Sequence, residues 1–180
     1  MDSPTREPIL VLADIIKTEL ELEDTVDLKG NTISPVLIYN QKYDIPTLKG
    51  LYIVLLYMGN KAIGNNNYVE DTEGGMQETQ ELAMTSLIQI DVMSQNTEAR
   101  TRKDEVVMAL RSIYAQQKMD EYGMRIASIP ATWLDASDIE GTAILNRFVM
   151  TLTIFSISRK IKVLDSYYTE FKPVEVHVNE

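Results

Sequence analysis

The chain contains no cysteine and a single histidine, His177. Disulfides and thiolate catalysis are therefore excluded. So are the Cys and His ligand sets that structural zinc normally takes. The lack of cysteine fits an intracellular origin. Basic charge is also short: 17 Lys and Arg against 27 Asp and Glu give a formal net charge of -10 and a pI near 4.6. Binding to phosphates needs clustered Lys and Arg. Free nucleic acid and anionic membranes are thus poor partners for the surface as a whole. Long apolar runs are missing too. The run 9–16 is interrupted by Asp14 and preceded by Asp2 and Glu7 beside Arg6, which is not a secretory n-region. The run 51–58 falls short of the roughly 20 residues a membrane helix needs. The expectation is a soluble chain. Its 180 residues, 44% of them apolar and 24% charged, suit one domain around one core.

What is present is a sequence of alternating and helical patterns. Ile9, Leu12, Ala13, Ile16 and Leu20 form one helical stripe over 6–22, with Pro4 or Pro8 in the first turn. An acidic linker follows (Glu21, Glu23, Asp24, Asp27), then a turn at Gly30-Asn31. A short strand is predicted at 36–39 and a stronger one at 51–58. The latter is apolar on both faces, as a central strand covered on both sides would be, with helices on one side and a neighbouring subunit as a candidate on the other. Residues 59–77 are rich in Gly, Asn and acids and are predicted to be a long loop, projecting as a hairpin extension or flexible arm. Residues 84–94 alternate, with Ile88, Ile90 and Val92 on one face and Gln89, Asp91 and Met93 on the other. A helix follows from Asn96 or Thr97, supported by a Glu98–Arg102 pair, buried through Val106, Leu110, Ile113 and Tyr114, and stopped at Gly123. Pro130 marks 124–134 as an edge or bulged strand, and 135–141 as a turn follows it. Phe148, Met150, Leu152 and Ile154 then define the apolar face of a very long last strand from Ala143. The resulting fold class is α+β: a single domain over 1–172, with a mixed, mostly antiparallel sheet and two helices packed on one face. It carries the 59–77 projecting loop, the long C-terminal strand, and a C-terminal extension at 173–180.

No catalytic constellation is legible. Gly59-Asn60-Lys61-Ala62-Ile63-Gly64 has the spacing of a phosphate loop, but Asn65 and Asn66 stand where Lys and Ser or Thr are required. The Glu70-Asp71-Thr72-Glu73 cluster lacks the spaced ligands of a calcium loop and is read as a solvated tip. His177 has no nucleophile elbow to serve. Neither cofactor nor metal is expected. Two features point instead to contacts between chains. Arg147, Arg159, Lys160 and Lys162 concentrate positive charge near the last strand, either as a surface for an anionic partner or as edge charges that deter aggregation. Val174, Val176 and Val178 alternate with polar residues in a tail suited to strand addition, on another chain or on its own sheet.

The order of elements resembles the tail terminator (tail-completion, or neck terminator) proteins of tailed bacteriophages. The resemblance covers about 10–171. It rests on the N-terminal helix, the 51–58 strand, the Gln77-Glu78-Thr79-Gln80-Glu81 stretch, the Ile88-Gln89-Ile90-Asp91-Val92-Met93 strand and the 97–118 helix. Trp133-Leu134-Asp135 and the last strand with Arg147-Phe148 complete it. It implies a structural virion protein, not an enzyme, that forms a hexameric homo-oligomeric ring at the neck. Such a ring ends the tail tube, joins it to the head–tail connector or stopper, and lets DNA pass through its lumen without sequence-specific binding. It implies assembly in the host cytoplasm and no membrane partner. On this reading Asn65, Asn66, Asn67, Glu70, Asp71 and Glu73 face the lumen or the adjoining ring. Arg147, Arg159, Lys160, Val174, Val176 and Val178 are the candidate subunit contacts. The alternatives are another neck or connector ring, a tail tube subunit, or, from a different class, a small hydrolase or ligand-binding domain.

Overall fold

The computed structural model describes residues 6–26, 30, 32–39, 50–72, 75–130, 132–140 and 143–164. Helix α1 spans Pro8–Glu19, with Pro8 in the first turn where its missing N–H leaves no bond unmade. Ile9, Leu12, Ile16 and Leu20 are buried, as their spacing predicts, and Val11 and Ile15 widen the stripe. After α1, β1 (Thr25–Val26) pairs antiparallel with β2 (Thr32–Ile33) around Gly30, whose φ of +83° suits the turn expected there. Next, β3 (Val36–Ile38) runs parallel to the start of β4 (Tyr52–Thr72). Strand β5 (Gly75–Ser94) returns antiparallel to β4 along its whole length.

Residues 59–72 and 75–77 are therefore strand, not loop, paired up to Thr72↔Gly75, with register shifts at Tyr57/Gly59 and Ala62/Gly64. Of the two forms expected for this segment, the hairpin extension is the one found. The Gly- and Asn-rich composition that suggests a loop is accommodated in two ways. Gly59 takes a φ of +147° beside the first register shift, and the asparagines sit on an exposed strand where nothing apolar is required. The candidate phosphate loop at 59–64 is consumed by the same pairing. At about 3.3 Å per residue, each strand of the hairpin is roughly 65–70 Å long.

The single helix expected from residue 97 is two helices, α2 (Glu98–Leu110) and α3 (Ile113–Glu121). Ser112 makes the break. Its backbone is extended, and its Oγ accepts a hydrogen bond from the Ala115 N–H at 3.0 Å, so a new helix N-terminus is capped inside the expected one. The break turns Ile113 outward to solvent, while Val106 and Leu110 stay buried. The expected Glu98–Arg102 pair persists as a charge interaction that, behind the Glu105 hydrogen bond, helps raise the Arg102 pKa, while the hydrogen bonds of both go elsewhere. Glu98 Oε2 accepts from the Leu51 N–H at 2.8 Å, tying α2 to the start of β4. Arg102 donates to Glu105 and to the Leu20 carbonyl, where α1 ends. Ser94 Oγ accepts from the Ala99 N–H and donates to the Asn96 carbonyl, fixing the entry into α2.

Strands β6 (Met124–Ser128), β7 (Leu134–Asp135), β8 (Asp138–Glu140) and β9 (Ala143–Val163) complete the chain. The sheet order is β3-β4-β5-β9-β6, with β7 and β8 also on β9. As Pro130 suggests, β6 is an edge strand, and it is irregular at Ile126/Ser128. The 135–141 segment, expected as a turn, supplies β7 and β8 instead. All three helices lie on one face, over Ile53, Leu55, Ile88, Ile90, Val92, Phe148, Met150, Leu152 and Ile154. Replacing Ser112 with Ala should cost about 1 kcal/mol in a urea titration, the usual loss for a helix cap. An unchanged midpoint would mean the break between α2 and α3 is held by something other than this cap.

Candidate functional site

Strand parity assigns every side chain of the long sheet to a face. In β5 the even residues, led by Ile88, Ile90 and Val92, face the helices, and the odd ones face away. Partners in β9 follow the same parity: Ile88↔Leu152 lies on the helix side and Thr85↔Phe155 on the open side. Near the base, the open face carries a small cluster of Tyr52, Val54 and Met93 with Leu37 and Leu145 against them. Both faces of the 51–58 strand are thus covered there, and the second cover is the chain's own. Burial pushes the Tyr52 phenol above its usual range, and the nearby Arg147 guanidinium opposes that rise.

Asp91 is the buried carboxylate of the open face. Arg147 Nη2 and Nε donate to its Oδ2 at 2.5 and 3.0 Å, and Gln89 donates to its Oδ1 at 2.7 Å. Arg147, expected at a subunit contact, is thereby engaged inside its own chain. Arg159 is engaged as well, on Glu81 Oε1 at 2.6 and 2.9 Å. The Asp91 side chain is 7% exposed and Glu81 20%, so the two pairs differ in what their loss leaves behind.

Above the base, the helices end and β4, β5 and β9 continue as a three-stranded arm. Its open face presents Leu87, Phe155 (42% exposed), Ile157 (53%), Ile161 and Val163 (58%), with Tyr68 beside Thr79. At the base, Leu134 of β7 (67%) is exposed on the same side of the sheet. No helix covers that side of the arm among the described residues. The other arm face carries Asn65, Asn67, Asp71, Glu78, Gln80, Lys160 and Lys162 with exposed Val69 and Leu82 among them, while the Arg159–Glu81 pair interrupts the apolar side. There Glu78 accepts from Gln80 at 3.0 Å and Asn67 at 2.8 Å. These two bonds, with Lys162 and Lys160 beyond, hold its carboxyl below the ordinary range.

Of the expected lumen or ring-contact residues, Asn65, Asn66, Asn67, Glu70 and Asp71 all lie exposed on the outer strand of the arm. They are divided between its faces: Asn66 and Glu70 on the open side, Asn65, Asn67 and Asp71 on the other. Lys160 lies on β9. Glu73, Val174, Val176, Val178 and His177 fall outside the described residues. The apolar open face was missed in the sequence. Its signal was the alternation Phe155, Ile157, Ile161, Val163, which continues the core strand at the opposite parity.

An open groove of about 490 Å³ lies between α3 and β6, lined by Leu110, Met119, Met124 and Ile126 with Arg111, Asp120 and Arg125 among its polar residues. Its lining holds no histidine and one carboxylate, which is not a constellation for acid–base or nucleophilic chemistry. Among the described residues no cluster of His, Cys, Asp or Glu can hold a metal ion, and no helix is long and apolar enough to cross a membrane. The chain matches no protein-family model and no curated protein sequence.

Arg147→Ala strands a buried carboxylate and should cost about 3 kcal/mol in chemical denaturation. Arg159→Ala, at a more solvated pair, should stay within about 1 kcal/mol. Equal losses would show that the open face at Asp91 is wetter than its burial indicates. A second expectation tests the arm directly. A depressed folded pKa at Glu78 adds stability above its unfolded value, lost as pH falls through the folded one. In a carboxyl NMR titration Glu78 should titrate below an ordinary glutamate, and Asn67→Ala should move it upward. An ordinary titration in the parent protein would mean the hairpin is not zipped to that height.

Proposed function

We propose that the chain is a structural ring subunit of a tailed-virus neck. In that role it ends the tail tube and joins it to the connector, with DNA passing through. The observation that carries this reading is the one-sided sheet. Three helices cover one face, and the other runs out along the arm as an apolar strip that water alone does not suit. A monomeric enzyme has no use for such a strip, whereas an assembly subunit buries it against its neighbours. The arm supports the same reading. A ribbon of three strands projecting beyond the helices is built to reach another chain rather than to enclose a substrate. The acidic balance also favours it, since a wall of net negative charge does not hold phosphates and lets DNA slide.

A connector or stopper ring, or a tail tube subunit, would use the same surfaces. Copy number separates these: a terminator contributes one ring to each tail and a tube subunit many. Gold-labelled antibody on intact source particles is the experiment. Label in one collar between head and tail, at one ring per particle, is the expected result. Label along the whole tail would replace the terminator with a tube subunit. Absence of label on particles whose epitope is accessible would end the virion reading.

A further inference from the structure

Among the described residues the arm has two open backbone edges. Strand β4 is paired with β3 only at 53–55, so its outer edge carries no strand among the described residues from 56 to 72. The outer edge of β9 is tiled by β8 at 143–145, β7 at 148–149 and β6 at 153–156, and carries no strand among the described residues from 157 to 163. Open edges recruit other strands unless something blocks them. Register shifts in β4 provide such a block, but both lie below Gly64. Above that height β4 is regular. Through β5, Gly64 lies level with Ile157 and Glu70 with Val163, so the regular part of one edge spans the same heights as the open part of the other.

The two edges differ in charge. Residues 64–72 of β4 carry Glu70 and Asp71 and no Lys or Arg. Residues 157–163 of β9 carry Lys160 and Lys162, besides Arg159 which Glu81 engages, and no acid. A β4 edge meeting a second β4 edge over 64–72 offers its acids no base, and β9 against β9 brings bases to bases. Only β4 against β9 brings opposite signs together. Each strand is antiparallel to β5, so β4 and β9 run the same way, base to tip. Both charged stretches lie toward the tip. Arms side by side and pointing the same way therefore bring Asp71 and Lys162, two residues apart in height and on the same face, within diagonal reach. Arms pointing opposite ways separate the charges.

We propose that a second copy of this chain pairs its β9 edge, over 157–163, in parallel with the β4 edge at 64–70. The contact is head-to-tail, because the two surfaces are different. Such contacts generate closed rings or open filaments, never isologous dimers. The open edges and their charges favour this contact whether or not the chain belongs to a virus neck.

The absence of native cysteine makes disulfide capture a clean test. Asn67→Cys protein is mixed with separately purified, tagged Ser158→Cys, Lys160→Cys or Lys162→Cys protein and oxidised. All four positions lie on the same arm face. Ile161→Cys, on the opposite face, is the control. Circular dichroism checks that each variant stays folded. The expected result is a mixed disulfide dimer with one of the same-face partners, at least tenfold over the Ile161→Cys control. Failure with all three, or equal dimer yield from any single variant alone, overturns the head-to-tail edge pairing. Charge exchange gives a second reading. Asp71→Lys or Lys162→Asp alone should weaken self-association in sedimentation by roughly fivefold, and the two in one chain should restore it. Additive loss in the double variant overturns the charge match. A captured dimer without collar label on particles would keep the edge pairing and drop the neck. Collar label without capture would do the reverse.

Discussion

Everything in this molecule hangs on the pairing of β5 with β9. Eighteen residue pairs, from Gln77↔Val163 to Ser94↔Asn146, follow one another without a shift. Because side chains alternate with a period of two, that unbroken register commits both strands to one parity from base to tip. At the base it sends Ile88, Ile90 and Val92, with Leu152 and Ile154, under the helices. The same parity sends Phe155, Ile157, Ile161 and Val163 to the opposite side, where no helix lies among the described residues. A slip by one residue would exchange the two sets and expose the core. The exposed strip is therefore the geometric continuation of the core strands, and it needs no separate origin.

The transition from body to arm is visible in single residues. On the helix side of β9 the apolar run Phe148, Met150, Leu152, Ile154 gives way to Ser156, Ser158, Lys160 and Lys162. Ser156 sits at the boundary, opposite Met84 and Met124, with a buried hydroxyl that has no hydrogen-bond partner. Polarity thus changes sides along one strand. Under the helices the apolar face is the covered one. Beyond them the covered face turns polar, and the open face keeps its large side chains. That inversion joins a covered core to an apolar surface with no cover among the described residues. It is the feature on which the proposed assembly role rests.

Much of this was legible in the residues. The stripe of α1, the alternation around Ile90, the apolar face of the last strand and the edge character of 124–128 all followed from periodicity or from a nearby proline. Each of them lies in the body, where burial against the helices imposes a clear pattern. The 59–77 segment was harder. Its Gly, Asn and acidic residues have low strand propensity, and hairpin pairing with β5, from Gly59↔Leu87 to Thr72↔Gly75, overrides them. The helix break at Ser112 has a local cause, a serine cap, but it hides in a stretch whose periodicity continues through it. Arg147 and Arg159 look like free surface charge in the sequence because their carboxylates lie 56 and 78 residues away.

By itself, then, the sequence determined the α+β class, the single core, the absence of cysteine and histidine chemistry in the body, and the net negative charge. These depend on composition and short-range period alone. Only the tertiary structure decided which edges stay open, which face has no helix, and that the acidic and basic stretches stand at one height on opposite sides of the same ribbon. Those facts depend on register between strands far apart in the chain, and pairing across such distances leaves no trace in local order.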